Sequence, residues 1–420
     1  MLTLDEARSR LFSKVRRLSC ERVSLSDAAG RVLATEVVAR APLPSFAHSA
    51  MDGYAVATQD WGAGSSPTLR VVGEAPAGGS ALPLEPGAAC RIFTGGPLPE
   101  RSDAVVPQEN VDRDADTIRI HARPTPGQYI RRVGEDLAAG DLALAVGTRM
   151  TPGGIALAAM LDRAELTVVR RPRVTILATG NELRAVGDGP RAGSIPESNS
   201  AALAALARQA GADARVAPIV RDDTGEAAEA IEAALDGADL LVTVGGVSVG
   251  EHDVVRPALE RAGVALDFWR VAIKPGKPLA VGRTSTAHVL GLPGNPASAL
   301  VTFALFGVPL IRALQGDARP HPLVLPARLA APRKRSADRT EFVRATIGRA
   351  TIGRATIGRE PGKPLPSVDA PSGLEACVCD NQASGAATSL ATSDGLCAIE
   401  PGLGSLEAGV TVDFLRWADL

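Results

Sequence analysis

Between Leu240 and Ala297 three unusual loops each follow an apolar run, and this pattern constrains the fold more than any other part of the chain. The loops read GGVSVGEHD (Gly245 to Asp253), KPGKP (Lys274 to Pro278) and GLPGNPAS (Gly291 to Ser298). Around them lie DLLVTV, DFWRVAI, PLAVG and AHVL. Short runs this rich in Val, Ile and Leu read as buried strands. Loops at the ends of such strands are where open α/β sheets bind ligands. These three offer bare backbone N–H groups, two lysines and a carboxylate, which predicts a site for a multiply charged anionic ligand that also brings a metal ion.

The surrounding sequence extends the same alternation from Arg173 to about Leu314. RVTILATG reads as a strand, and SNSAALAALARQAG as a helix with Ser and Asn at its start and Gly211 as its stop. ARVAPIV is a further strand, DDTGEAAEAIEAALDG a helix capped by Asp223 or Thr224, and DVVRPALERAG a third helix. A long final helix is expected over Pro296 to Leu314, with Pro296 in its first turn. Strands alternating with helices of this length predict a doubly wound, mostly parallel α/β sheet domain over 170–315. Before it, residues from about Ala41 to Met150 are rich in Gly and Pro with short alternating runs (TLRVVG, CRIFTG, TIRIHA). They predict a β subdomain, over about 41–150, inserted into a helical N-terminal region of 1–165. Residues 320–420 turn β-like again and predict a small C-terminal β-barrel or sandwich. Within them ATIGR occurs three times in tandem, from Ala345 to Arg359. Five residues is too short for a solenoid unit, so the expectation is an expanded hairpin or loop.

Charge and cysteine usage exclude several classes. A formal charge of −2 and a pI near 6.3 support neither nucleic-acid nor membrane-surface binding. Aromatics make up only 3% of the 420 residues, so the core must be built from Ala, Val, Leu and Ile. The N-terminus, MLTLDEARSRLFSKVRRL, carries charges throughout and reads as an amphipathic helix, not a signal peptide. The apolar run Ala299 to Ile311 contains Pro309 and is too short to span a bilayer. Five cysteines without a zinc-like double pair read as reduced structural thiols, and the expected compartment is the cytoplasm.

Several side chains are candidates for chemistry. Gly246 to Gly250 formally matches the G-x-S-x-G nucleophile elbow, with Ser248 as the nucleophile. A serine hydrolase would then need an acid and a histidine later in the chain, and His288 lies in an apolar strand pattern, not in a loop. The alternative is that the glycines let the backbone approach a phosphate or pterin ring. Lys274 and Lys277 are compact point charges suited to an oxyanion. Glu182 in TGNEL, Asp222 in RDD and Asp253 each follow a strand of the same sheet, so all three are expected at one rim. Hard oxygen ligands there suit Mg²⁺, although helix capping explains each aspartate singly. Asp52 and Asp136, in SAMDGYAV and VGEDLAAGD, read by themselves as β-turn residues.

Taken together, PLPSFAHSAMDGYAV, FTGGPLP, VGEDLAAGD, TGNEL, SNS, GGVSVGEHD, KPGKP, GLPGNP, RTEFVRA and SGAATSLATSDGL resemble, in order and over essentially the whole chain, the molybdopterin molybdenumtransferase family, which includes the E domain of gephyrin. The resemblance implies insertion of molybdate into adenylylated molybdopterin with Mg²⁺, yielding molybdenum cofactor and AMP. It also implies an elongated homodimer of four-domain subunits with the site at their interface. Carried over motif by motif, the functional residues are Asp52, Asp136, Glu182, Asp222, Asp253, Lys274 and Lys277, with Glu182, Asp222 and Asp253 toward the metal. Thr94, Gly180, Ser200, Gly245, Gly246 and Ser248 would contact substrate. Pro293, Gly294, Asn295 and Pro296 would shape the pocket, and Arg339 and Ser384 would help hold molybdate. Glu197 stands before SNS where the family commonly has aspartate. The chain has no fused adenylylating domain, so a separate molybdopterin adenylyltransferase is expected to supply the substrate. Two other readings are an adenylylating activity of the sheet domain itself and a gephyrin-like scaffold. The flanking domains argue against the first, and the missing linker and second domain against the other.

Overall fold

The structure, a computed structural model, describes residues 1–61, 67–80, 83–246, 254–349 and 373–420. The region 173–314 forms the expected doubly wound sheet. Its strands are β1 (Arg173–Ala178), β2 (Asp213–Val216), β3 (Leu240–Val244), β4 (Ala265–Arg270), β5 (Pro278–Arg283) and β6 (His288–Leu292), in the order β2-β1-β3-β6-β5-β4. The first four in that order run parallel, and β5 and β4 complete the sheet antiparallel. Helices α1 (Asn199–Gln209), α2 (Thr224–Leu235) and α3 (Val255–Arg261) follow β1, β2 and β3. Successive side chains of β3 separate to opposite faces, as the period of two requires. Leu240, Val242 and Val244 pack with Leu203, Ala204 and Ala207 of α1, while Leu241 packs with Ile231 of α2 and Leu259 of α3. Because β2 lies on one side of β1 and β3 on the other, the winding reverses between β1 and β3. That reversal opens a crevice at their carboxyl ends.

Local chemistry explains the helix boundaries, with two differences from expectation. Asp223 caps α2 by accepting from the N–H groups of Gly225 and Glu226. The start of α1 is capped differently: Ser198 makes no side-chain cap bond, and the buried Glu197 carboxylate accepts the Ser200 N–H at 3.0 Å instead. A carboxylate at a helix N-terminus is also favoured by the helix dipole. The final helix is continuous but not uniform. It comprises α4 (Pro296–Thr302), a π turn (Phe303–Gly307) and α5 (Val308–Leu314). Pro309 has no N–H for the helical ladder, and a wider π turn accommodates such a residue without ending the helix. By length and composition this 19-residue stretch, unlike the shorter apolar run within it, could cross a membrane, yet 83% of its most apolar window is buried inside the molecule. It forms the centre of the largest core.

The N-terminal helix Leu4–Phe12 begins with a capping box between Thr3 and Glu6 and buries Ala7 and Leu11 in the same core. The strand Cys20–Ser24 pairs antiparallel with Glu165–Val169, so the chain returns to its starting region after the inserted β subdomain. That subdomain carries a six-stranded sheet around Tyr54, Val56, Ile118 and Ile120. In the C-terminal region β7 (Leu325–Leu329), β8 (Thr340–Arg349), β9 (Leu374–Val378), β10 (Gly395–Ile399) and β11 (Thr411–Arg416) close on themselves through a β8–β10 pairing. The result is a five-stranded barrel, which removes exposed sheet edges. The first ATIGR copy is the end of β8, with Ala345 fully buried, and the other two copies lie outside the described residues.

Candidate active site

The loops that leave β1, β2, β3 and β6, and the turn from β4 to β5, all meet at the carboxyl rim of the parallel strands. Thr179 continues β1 and bridges Val220. Just beyond, Asn181 and Asp222 exchange bonds: the Asn181 N–H donates to Asp222 Oδ2 at 3.1 Å, and the Asp222 N–H donates to Asn181 Oδ1 at 3.2 Å. This reciprocal pair holds Asp222 at the rim beside the loop that carries Glu182. The Glu182 carboxylate turns back over Gly180, where a Cβ would come within 2.6 Å of Oε2. It is exposed and receives no hydrogen bond among the described residues. Glu182 and Asp222 therefore sit at adjacent strand ends, as expected. Asp253, the third acid, and Ser248 lie outside the described residues, and among the described residues no three metal-ligating side chains cluster.

At the switch point Gly245 and Gly246 adopt φ of +90° and +62°, and a Cβ on Gly246 would stand 2.3 Å from Val255. Only glycine fits there without strain, which leaves this stretch of backbone bare. Across the crevice Asn199 Nδ2 donates to the Gly294 carbonyl at 2.7 Å, tying the start of α1 to the PGNP loop. Four buried oxygens along this rim have no partner among the described residues: Thr179 Oγ1, Asn199 Oδ1, Ser200 Oγ and Thr302 Oγ1. Buried polar atoms are normally satisfied, so this concentration marks a surface shaped for a polar ligand. A groove of about 840 Å³ opens beside it, lined by Gly180, Asn181, Glu197, Ser200 and Arg221 among others.

KPGKP forms the turn between β4 and β5, with the Val271 N–H donating to the Lys277 carbonyl at 2.9 Å. The Lys274–Pro275 bond is cis. Residues Ile273–Lys274 pair in parallel with the start of β8, so the barrel meets the sheet at this loop. Lys274 Nζ is 2.9 Å from Oε1 of the buried Glu341, whose other oxygen is 3.8 Å from Arg333. Lys277 is exposed and has no partner among the described residues. Lys274 and Arg333 share the Glu341 carboxylate, and Lys277 adds a further cation, so the loop keeps net positive charge. A second barrel contact reaches the rim from Ser384, whose carbonyl accepts the Ala297 N–H at 2.9 Å, beside Pro293, Gly294, Asn295 and Pro296.

The C-terminal arginines divide their roles. Arg339 lies with its Nε 3.5 Å from Asp338 and adjoins the rim through the backbone, because the Thr340 N–H donates to the Ala272 carbonyl. Arg344, which sequence reasoning passed over, is fully buried and donates to the carbonyls of Asn381 and Ala383 and to Ser389 Oγ. It thereby shapes the loop that presents Ser384. Glu341, Thr302 and Asn199 were also missed. The SNS and RTEF motifs contain Asn199 and Glu341, but only long-range pairing reveals their partners.

Asp52 and Asp136 belong to a different surface. Asp52 Oδ1 accepts the Thr94 backbone N–H at 2.7 Å and its hydroxyl at 2.8 Å, and these two bonds hold the carboxyl below its ordinary value. The Asp136 N–H donates to the Leu43 carbonyl. Pairing of His48–Ser49 with Ile130–Arg131 brings the two acid loops together within the N-terminal region. No bond joins them to the rim of the same chain among the described residues.

The geometry also disposes of the hydrolase reading. His288 starts β6 opposite Leu240, whereas Gly246, two residues before Ser248, follows the other end of β3. Four strand rises separate those edges by about 13 Å. His321 instead meets Phe12 edge-on with ring centroids 5.2 Å apart, and His252 lies outside the described residues.

An open α/β sheet with a cationic, glycine-lined rim, flanked by an inserted β domain and a closed barrel, defines a multidomain protein with a candidate anion site at the switch point. Comparison with known proteins narrows the class. Residues 2–161 match the MoeA N-terminal region (domain I and II), 175–313 a probable molybdopterin binding domain, and 368–417 the MoeA C-terminal region (domain IV). Molybdopterin molybdenumtransferase of Haemophilus influenzae is 42% identical over 320 residues, covering 76% of this chain and 78% of the relative. The Bacillus subtilis protein of that name is 32% identical over 422 residues, covering 99% of this chain and 94% of the relative. A crystal structure of a molybdopterin biosynthesis moeA protein from Pyrococcus horikoshii matches 99% of this chain and 100% of its own, with a TM-score of 0.80 at 25% identity. The chain belongs to the molybdopterin molybdenumtransferase family, enzymes of molybdenum cofactor biosynthesis.

Proposed function

We propose that the rim site takes adenylylated molybdopterin and molybdate, and that the enzyme inserts the metal oxyanion and releases AMP. The observation that carries this reading is the presence of two charge types along one rim of the sheet. Lys277, without a partner among the described residues, lies with Lys274 at the β4–β5 turn, the bare Gly245-Gly246 backbone follows β3, and Glu182 and Asp222 occupy the ends of β1 and β2 at the same rim. The lysines suit a divalent oxyanion as point charges. Gly180, Gly245 and Gly246 allow close approach of a phosphate or pterin, and Thr179, Asn199 and Ser200 carry oxygens that have no partner among the described residues.

Mg²⁺ fits the acid side of the site. Glu182 has both oxygens uncommitted among the described residues, and Asp222 has one oxygen bonded to Asn181 and the other free. Hard oxygen donors of this kind, one or two carboxylates completed by substrate phosphates, are what the ion prefers. Asp222, Glu182 and, by its motif, Asp253 would hold it, and when bound it would supply Lewis-acid polarisation of the adenylyl phosphates. The Asn181–Asp222 exchange keeps the carboxylate oriented before substrate arrives. Lys277 would orient molybdate against the pterin, and Lys274, fixed by Glu341, would set the distance of the loop from the ligand.

The functional unit in this reading is a homodimer in which Asp52 and Asp136 of one chain complete the rim of its partner. Phe46, Met51, Tyr129 and Val133 are exposed apolar residues on the two acid loops and their flanks. Exposed apolar groups gathered in this way favour association. The enzyme is cytoplasmic in this reading and depends on a separate molybdopterin adenylyltransferase for its substrate.

The test follows AMP release from adenylylated molybdopterin in the presence of molybdate and Mg²⁺. Asp222→Ala should lower turnover by about a hundredfold or more, as loss of a positioning group does. Ser248→Ala should retain measurable insertion. Wild-type turnover by Asp222→Ala would remove the acid site from the mechanism.

A further inference from the structure

The amino edge of the sheet, opposite the candidate active site, carries a second concavity. A cavity of about 670 Å³ lies between the start of β3, the β5–β6 hairpin and the segment after the N-terminal helix. Its walls include Lys14, Arg16, Arg17, Arg283 and His288, with the turn Thr284 to Ala287 across the mouth.

The charge balance of these walls is one-sided. Asp239 is the one carboxylate in the lining, and it is already engaged: both guanidinium nitrogens of Arg170 reach it at 2.7 Å, and the Arg173 N–H at 2.8 Å. Arg17 donates to the Ala34 carbonyl. Lys14, Arg16 and Arg283 have no acidic partner among the described residues. The Thr284 hydroxyl accepts the N–H groups of Thr286 and Ala287, folding the turn so that Ser285 stands exposed at its tip. The His288 ring is half-buried against Arg283. Like charges around one concavity repel each other until an anion enters, and the low-dielectric walls focus their field. The volume is that of an ordinary small-molecule site.

We propose that this pocket binds a phosphate-bearing small molecule of nucleotide size carrying at least two negative charges. Lys14, Arg16 and Arg283 supply the cations, and the Ser285 hydroxyl and the His288 ring supply directional hydrogen bonds. The site is distinct from the molybdopterin rim, because β6 places its two ends at opposite edges of the sheet. It does not depend on the reading of the rim chemistry.

Inorganic pyrophosphate is the probe, and the imidazole resonance of His288 is the readout, assigned by its disappearance in His288→Gln. In the full-length protein the resonance should shift saturably at or below about millimolar pyrophosphate, the weak end of specific binding. Arg283→Ser, an exposed change, should weaken binding about tenfold, the effect of losing one charge-assisted contact. Lys277→Ala, at the other rim, should leave the titration unchanged. The proposal is overturned if no saturable shift occurs, if Arg283→Ser titrates like wild type, or if only an acidic polypeptide such as polyglutamate perturbs His288.

Discussion

Asp52 shows how a turn residue acquires a functional setting. Two Thr94 donors, first the backbone N–H and then the hydroxyl, stabilise its charged form and lower the carboxyl from its ordinary value of 3.8. A carboxyl lowered by folding contributes stability that is present above its unfolded value and lost as pH falls through the folded value. Thr94→Val keeps the backbone donor but deletes the hydroxyl. The Asp52 titration followed by carboxyl ¹³C NMR should then move upward toward 3.8, and the acid loss of stability that Asp52 contributes should become smaller and end at higher pH. An unchanged midpoint would show that the Thr94 hydroxyl does not act on the acid. Arg344 is a second test at this scale. Its replacement by Met removes three hydrogen bonds and takes the Asn381 carbonyl's arginine donor away, while the Ala383 carbonyl keeps the Ala386 N–H, so thermal or urea denaturation should show a loss of about 2–3 kcal/mol.

At the scale of elements, the KPGKP turn and the helix behind it fit as a pair. Gly276 has φ of +101°, and a methyl there would lie 2.1 Å from Thr302 Oγ1, one residue before the π turn. Gly276→Ala should therefore destabilise the protein by about 1–3 kcal/mol through the strained φ and the clash together. Adding Thr302→Ala should restore only the steric part, and a double-mutant cycle measured by urea denaturation separates the two. Full additivity of the two changes would show that they do not touch. The ATIGR repeat makes the opposite point. Its first copy is built into β8, whereas Ala350 to Arg354 lies outside the described residues, where the sequence leads us to expect a loop, and loop length enters stability weakly. Deleting that unit should change the unfolding free energy by no more than about 1 kcal/mol and leave AMP release intact. Loss of the fold would make the repeat integral to the barrel.

For the whole molecule, the separation of the two acid sets is the property that most constrains mechanism. Asp52 and Asp136 share one surface of the N-terminal region, and Glu182 and Asp222 share the rim of the sheet. If the rim of one chain is completed by its partner, an Asp52→Ala chain and an Asp222→Ala chain are each inactive alone. Mixed heterodimers then contain one site that carries both lesions and one that carries neither. Equal mixing should restore about a quarter of wild-type AMP release, since half of the dimers are mixed and each has one intact site. Confirmed heterodimers with no recovered activity would place both acid sets in separate roles.

Much of this architecture was legible in the sequence because it rests on local rules. The continuous apolar runs from RVTILA to HVLGL, the cap at Asp223, and the glycine at the end of α1 depend on residues a few positions apart. They specify a doubly wound sheet and, because open α/β sheets bind ligands outside the carboxyl ends of their strands, the edge at which a ligand site is expected. The motif order was enough to indicate the family. Other features required the tertiary structure, because their partners are remote in the chain. Glu341 neutralises Lys274 across 67 positions, Asn199 reaches Gly294 across 95, and Arg344 braces the Ser384 loop only after the barrel closes. The basic pocket at the amino edge is of the same kind. Lys14, Arg283 and His288 carry no shared motif, and they line one cavity only because β5 and β6 return the chain to the end of the N-terminal helix. Local propensity acts through neighbours in sequence, whereas charge balance and cavity shape depend on distances in space that the fold alone sets.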